Sequence, residues 1–152
     1  MMAELIIRID WSELDLYGHV NNVMICKYIQ AARIQYCEKV GFGTLNEKGK
    51  PGFIVAASNV LYKKKVLYPG QLRVVSHVEW MKTTSFHLAH MIYNEQNDIL
   101  VEAFDIIVVY DYEKDTKTAI TKELMLAIEQ LENKSDGSLS KNNTQGQYPD
   151  IE

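Results

Sequence analysis

Asp15 is the residue of this chain best placed to do chemistry. It stands in a polar, irregular stretch, residues 12–22, seven positions before Asn22, where the pattern turns helical. A helix start offers backbone N–H groups that no intrahelical carbonyl can reach, and the helix dipole adds to their pull on negative charge. Such groups polarise a carbonyl and hold the oxyanion formed when it is attacked. A carboxylate beside them can attack that carbonyl or activate a water. Taken alone, an aspartate in a pre-helix loop is more often a cap or turn residue. The wider pattern makes the stretch informative: Asp15-x-x-Gly18-His19-Val20-Asn21-Asn22, with Tyr28 and Ala32-Arg33 behind it.

These residues need elements to position them. Residues 4–11, rich in β-branched and aromatic side chains, predict a first strand. Residues 12–22 predict a loop with room for a helical turn. Ile25, Tyr28, Ile29, Ala32, Tyr36 and Val40 then recur at spacings of three and four, which predicts an amphipathic helix over 23–40. Asn21 or Asn22 suits its N-cap, and Gly41 or Gly43 its stop. Cys26 and Cys37 fall on this helix about 16 Å apart, too far to bridge, and both read as buried or half-buried thiols. Four strand-like segments follow at about 53–67, 71–82, 85–95 and 98–112. Short turns between them, such as Pro69-Gly70 and residues 94–98, imply antiparallel neighbours. Within 71–82, Leu72, Val74, Ser76, Val78 and Trp80 share one face. Ile99 to Tyr110 is apolar on both faces, so it predicts a central strand or one covered by a partner. Residues 121–132 predict a short helix capped by Thr121. Only the long helix can cover the sheet. The expected fold class is therefore α+β, an antiparallel sheet wrapped around one long central helix.

Composition removes several classes of function. The chain has 152 residues, 47% hydrophobic and 24% charged, with a net charge of -4. That balance argues against nucleic acid as a partner. The longest apolar runs have five residues, far short of a membrane span, and the N-terminus shows no signal peptide, so a cytoplasmic protein is expected. Two cysteines are too few for a disulfide scaffold. There is no Gly-x-Ser-x-Gly elbow, phosphate loop, dinucleotide fingerprint or His-Glu-x-x-His site. His19, His77, His87 and His90 are dispersed, with His87 and His90 on opposite faces of a strand, so no metal site is expected. Residues 133–152 hold only Leu139, Tyr148 and Ile151 as apolar anchors and predict a disordered polar tail after a domain of residues 1–132.

The Asp15–Asn22 pattern with Tyr28 and Ala32-Arg33 resembles the hotdog-fold acyl-CoA thioesterases of the 4-hydroxybenzoyl-CoA thioesterase type, in the subgroup with the Gly-His-Val-Asn-Asn form. The resemblance runs from about residue 5 to about residue 120. It implies a hotdog domain that hydrolyses acyl-CoA to a free acid and CoA. It implies no metal or organic cofactor, coenzyme A being part of the substrate. In that family the aspartate at the position of Asp15 is nucleophile or general base, and a backbone N–H near Asn22 faces the thioester oxygen. Gly18 would let the loop approach closely, and His19 and Asn21 would line or brace the site. A plain turn, a surface position and a helix cap are the respective alternatives for these three. Relatives place such sites between paired copies, which implies a homodimer or homotetramer. Acyl-ACP is the alternative substrate, and a non-catalytic acyl-binding or scaffolding dimer is the alternative of a different class.

Two departures matter. Many members carry Glu on the helix where this chain has Gln30, which leaves Asp15 as the candidate carboxylate and removes a salt-bridge partner for Arg33. The tail also has no counterpart in the family pattern. Lys63-Lys64-Lys65 interrupts an apolar strand. Read as extended, Lys63 and Lys65 share a side and suit the phosphates of coenzyme A, while a solvated strand end is an equal reading.

Overall fold

Asn22–Val40 form the long helix, α1, and its ends are set by the residues that the spacing singled out. Asn21 caps it, its side-chain oxygen accepting the Val23 N–H at 2.9 Å. Gly41 closes it in the left-handed region at φ 104°, where a residue without Cβ carries no steric penalty. Ile25, Tyr28, Ile29, Ala32, Tyr36 and Val40 are all buried, joined by Cys37. Cys26 is exposed, against expectation. One residue past buried Ile25, it is turned about 100° round the helix. The computed structural model describes residues 3–44 and 47–132, so the expected tail, 133–152, lies outside the described residues.

Around α1 run β1 (Ala3–Arg8), a 3₁₀ turn (Trp11–Glu13), β2 (Gly52–Tyr62), β3 (Gln71–Met81), β4 (Ser85–Tyr93), β5 (Ile99–Asp111), β6 (Thr116–Lys117) and a second helix, α2 (Lys122–Glu132). All pairings are antiparallel, in the order β1-β3-β4-β5-β2, with β6 on the end of β5. β5 is internal, between β4 and β2, as its two apolar faces implied.

Four local expectations are corrected. The first strand stops at Arg8 rather than residue 11, because Asp10 caps the 3₁₀ turn. The second ends at Tyr62, so the lysine run lies beyond the strand. β2 pairs with β5 rather than with its sequence neighbour β3, and residues 63–70 cross from one to the other. A bulge between Val78 and Trp80 pairs Val78 with Leu88 and Trp80 with His87, turning Trp80 to the face away from α1.

The core lies between α1 and the sheet. One cluster holds Tyr36, Phe86, Leu88 and Ile107 with Leu124 and Ile128 of α2, and the other holds Ile25, Ile29, Leu72, Val74 and Ile92. Each such side chain contributes about 1.5–3 kcal/mol by burial. Thr121 starts α2 by accepting the Leu124 N–H at 3.1 Å. At its other end, buried Glu132 accepts from the Tyr36 hydroxyl and from the Val78 N–H, which pins α2 to both helix and sheet. α1 packs over β1, β3 and β4. That fixes where its N-terminus meets the loop that carries Asp15.

Candidate active site

The loop between β1 and α1 is a small hairpin folded back on the helix start. Leu14 pairs with Val20, and the Asp15 N–H donates to the His19 carbonyl at 2.8 Å. Asp15 Oδ1 accepts the N–H of Tyr17 at 2.8 Å and of His19 at 3.3 Å, an arrangement that fixes the carboxylate to its own loop. Gly18 turns the tip at φ 76°, its N–H reaching the Asp15 carbonyl at 3.2 Å. The chain reaches Asn21 and α1 directly after Val20, so carboxylate and helix N-terminus belong to one local unit. Asp15 and His19 are half-buried, and Gly18 and Asn22 are exposed.

Asn21 takes the cap role among its alternatives, since its side chain is occupied by Val23. His19 pairs through its backbone with Leu67. Asn22 opens the helix, where its N–H has no carbonyl four residues back to meet. Its side chain and the Cys26 thiol flank the Tyr62 hydroxyl, whose acidity falls below that of an ordinary phenol through partial burial and the contact with Cys26.

The Asp15 loop is held from two sides. Glu13 is a junction: its Oε1 accepts the Tyr28 hydroxyl at 2.8 Å and the Asp10 N–H at 2.8 Å, while its carbonyl accepts the Asn21 N–H at 2.9 Å. Asp10 answers by accepting the Ser12 N–H, completing a capping box around the 3₁₀ turn. Burial and the Glu13 carboxylate push the Tyr28 hydroxyl well above the usual phenol range, so it stays a donor. On the other side, the Val20 N–H donates to the Val66 carbonyl at 2.9 Å. The strap 63–68 therefore brings the lysine run alongside the loop. Lys63 pairs with Glu102 at 3.5 Å and Lys64 with Asp98 at 3.3 Å, while Lys65 is exposed.

Sequence reasoning missed both Glu13 and a buried ionic network. The signal for Glu13 was Asp10-x-x-Glu13, the spacing of a capping box. The network centres on Asp105, whose Oδ2 accepts from Arg33 at 3.0 Å and from His90 Nε2 at 3.0 Å, while its Oδ1 accepts from Ser58. His90 Nδ1 bonds Ser76 at 2.7 Å. Arg33 thus has a partner despite Gln30, correcting the expectation drawn from the missing helix glutamate. Asp105, set between Phe104 and Ile106 in the mostly apolar run 99–110, was its signal. Ser76, His90 and Asp105 follow the order of a hydrolytic triad, yet each is buried to 1% exposure or less, so the set holds the core and meets no substrate. Burial opposes the charge on Asp105, but the bonds from His90 and Ser58 and the nearby positive groups outweigh it and hold the carboxyl below its usual range. Cys37, by contrast, is an inert thiol pushed up to about 12 by burial. A cleft of about 580 Å³ opens at the C-terminal end of α1, between Lys50, Phe53 and Tyr112, and includes none of the residues expected to bind substrate.

The fold is shared with known structures. The chain matches a predicted thioesterase from Bacillus stearothermophilus at 18% identity, covering 86% of this chain and 96% of that one, with a TM-score of 0.77. It is similar to a thioesterase from Thermus thermophilus solved with coenzyme A and Zn, at 20% identity over 87% and 95% of the two chains, with a TM-score of 0.74. A third is the DHNA-CoA thioesterase from Staphylococcus aureus, at 21% identity over 87% and 93%, with a TM-score of 0.72. No curated protein matches closely enough to count as a relative. The family model for the thioesterase-like superfamily matches residues 9–128, a span that takes in the Asp15 hairpin, α1 and every strand from β2 to β6. The sheet wrapped on one helix is thus a hotdog fold, and the chain belongs to the thioesterase-like superfamily, whose chemistry is thioester hydrolysis.

Proposed function

We propose that this protein hydrolyses acyl-CoA to a free carboxylic acid and CoA, with Asp15 acting at the thioester carbonyl and the N-terminus of α1, near Asn22, receiving the oxyanion. The observation that carries this reading is the hairpin itself: Asp15 is anchored through Oδ1 by two N–H groups, on a loop that runs straight into the helix start. Anchoring Oδ1 leaves Oδ2 as the reacting atom. Acting as nucleophile, it adds to the carbonyl carbon, and the charge moves to the thioester oxygen facing the Asn22 N–H at the helix start. Collapse expels CoA as thiolate, and water then hydrolyses the mixed anhydride and restores the carboxylate. Acting as base, Oδ2 takes a proton from water as hydroxide adds, and the proton passes to the departing thiolate. Both routes balance without a metal or organic cofactor.

The Thermus thermophilus structure, solved with coenzyme A, supports CoA as the carrier. Lys63 and Lys65 on the strap are assigned to its phosphates. The exposed ion pairs of Lys63 and Lys64 are each worth about 0–1 kcal/mol, little enough to be exchanged for a phosphate. Gly18, His19 and Asn21 shape the loop, while Asn22 supplies the N–H. The working unit is proposed to be a homodimer, or a homotetramer built from it. β2 supports this, being an exposed edge strand with Ile54, Leu61 and Tyr62 in the open.

Asp15→Asn, assayed on acyl-CoAs of graded length, is expected to lower kcat/KM about 10³-fold or more with the fold unchanged. Wild-type turnover in that variant would remove Asp15 from the chemistry. Faster turnover of matched acyl-ACP would change the carrier. Calorimetric binding of acyl-CoA without hydrolysis of any substrate would indicate a non-catalytic acyl-binding dimer.

A further inference from the structure

We infer that Tyr28 and Glu13 are positioning residues, a clamp that sets the Asp15 carboxylate against the helix N-terminus. The inference rests on the proposed role of Asp15. Glu13 is the point where three parts of the site meet. Its Oε1 ties Tyr28, in the second turn of α1, to Asp10, the cap of the 3₁₀ turn, and its backbone carbonyl ties Asn21, the cap of α1. Asp15 follows two residues later, and Leu14 between them is itself paired with Val20. Two routes therefore lead from α1 back to Asp15: one through Glu13, the other through Val20 and His19 along the hairpin.

The chemistry of the clamp suits a positioning task. Tyr28 is 3% exposed and packs in the cluster with Ile25 and Ile29, so its hydroxyl is fixed by the core. An O–H donor on a rigid ring, bonded to a carboxylate at 2.8 Å, is a charge-assisted link with one geometry. Tyr28 lies on the apolar face of α1 and Glu13 Oε1 is taken up by two hydrogen bonds, so both are assigned to act through the loop rather than on the thioester. Apart from the Val66–Leu67 contacts at its far side and its own internal hydrogen bonds, the loop has little packing to order it. Leu16 and Tyr17 at its tip are fully or largely exposed, and neither packs in the core clusters. Catalysis by a carboxylate and a dipole depends on their mutual placement, and an ångström of misplacement costs up to about 10²-fold in rate.

The test uses the full-length protein and the acyl-CoA that wild type turns over fastest. Tyr28→Phe is expected to lower kcat about 10–100-fold with KM within about twofold, since the apolar ring still packs and only the link is lost. Glu13→Ala, which also frees the Asp10 N–H, should be at least as slow, and the double variant should be no slower than Glu13→Ala, because the Tyr28 link is already broken in it. Glu13→Gln keeps an acceptor for Tyr28 and Asp10 and is expected to stay within about threefold of wild type. Four outcomes overturn the clamp. Tyr28→Phe that lowers Tm but leaves kcat at the wild-type value makes the contact merely structural. Glu13→Gln as slow as Glu13→Ala makes the charge itself the agent. Additive losses in the double variant separate the two residues, and a loss confined to KM moves the effect to binding. Should Tyr28→Phe not fold, the Glu13→Gln and Glu13→Ala pair decides alone. Full activity of Asp15→Asn would defeat the functional proposal instead, and is read independently of the clamp.

Discussion

Asp105 shows how one side chain can be indispensable to this fold without touching substrate. It sits under α1 at 0% exposure, with Arg33, His90 and Ser58 supplying every bond a buried carboxylate needs. Removing one partner of such a set leaves an uncompensated buried charge, which costs about 3–5 kcal/mol. Asp105→Asn, leaving Arg33 unneutralised, is therefore expected to lose that much stability at pH 7 by chemical denaturation. The pH dependence has a definite sign. The carboxyl is held below its unfolded value, about 3.9. Its ionisation therefore favours the folded state fully above that pH, and the gain disappears as pH falls through the lower folded value. Wild type should steepen in its loss of stability below about pH 4, and Asp105→Asn should lack that part of the slope. An unchanged acid limb in the variant would assign the acid sensitivity to other groups.

At the scale of elements, α1 does two jobs, and its two ends can be tested separately. Its N-terminus carries the proposed oxyanion site, and its C-terminus needs only to stop. Gly41 makes that stop at φ 104°, and a Cβ built there meets no atom within 4 Å. Gly41→Ala thus isolates backbone strain from crowding. It is expected to cost about 1–2 kcal/mol of stability while leaving kcat and KM as in wild type. A change in kcat would mean that the helix shifts as a body and carries its N-terminus with it. The lysine strap belongs to this scale too. Its place beside the Asp15 hairpin comes from the Val20–Val66 hydrogen bond and the His19–Leu67 bridge, contacts that no periodicity in the sequence announces.

The described residues form one sheet with the long helix α1 across part of it and the short α2 beside it, and the proposed pairing of copies follows from what that leaves open. β2 is a long edge strand with exposed apolar side chains, the arrangement that proteins otherwise guard with charge. Light scattering is expected to give twice the 17.5 kDa chain mass or a multiple of it. Ile54→Lys combined with Leu61→Lys, which places two charges on that edge, should shift the protein to single chains and lower activity with it. A fully active 17.5 kDa species would show that one copy suffices.

Much of this protein was already determined by the sequence. Helical periodicity is a local property, so the bounds of α1, its cap, its stop and its buried face were readable from residue types alone, as was the internal place of β5. The stretch 12–22 was legible as a loop running into the helix, but not its hairpin pairing of Leu14 with Val20. Tertiary structure decided what depends on residues distant in the chain. It placed β2 against β5 through a crossover, gave Arg33 a partner on another strand and turned Trp80 outward at a bulge. It also left Cys26 exposed, one position past buried Ile25. The link from Tyr28 to Glu13 belongs to the same class, since the two residues come together only once α1 has packed on the sheet. Spacing along the chain encodes which face a residue takes on its own element. Only the packed sheet and helix decide which distant group it meets there.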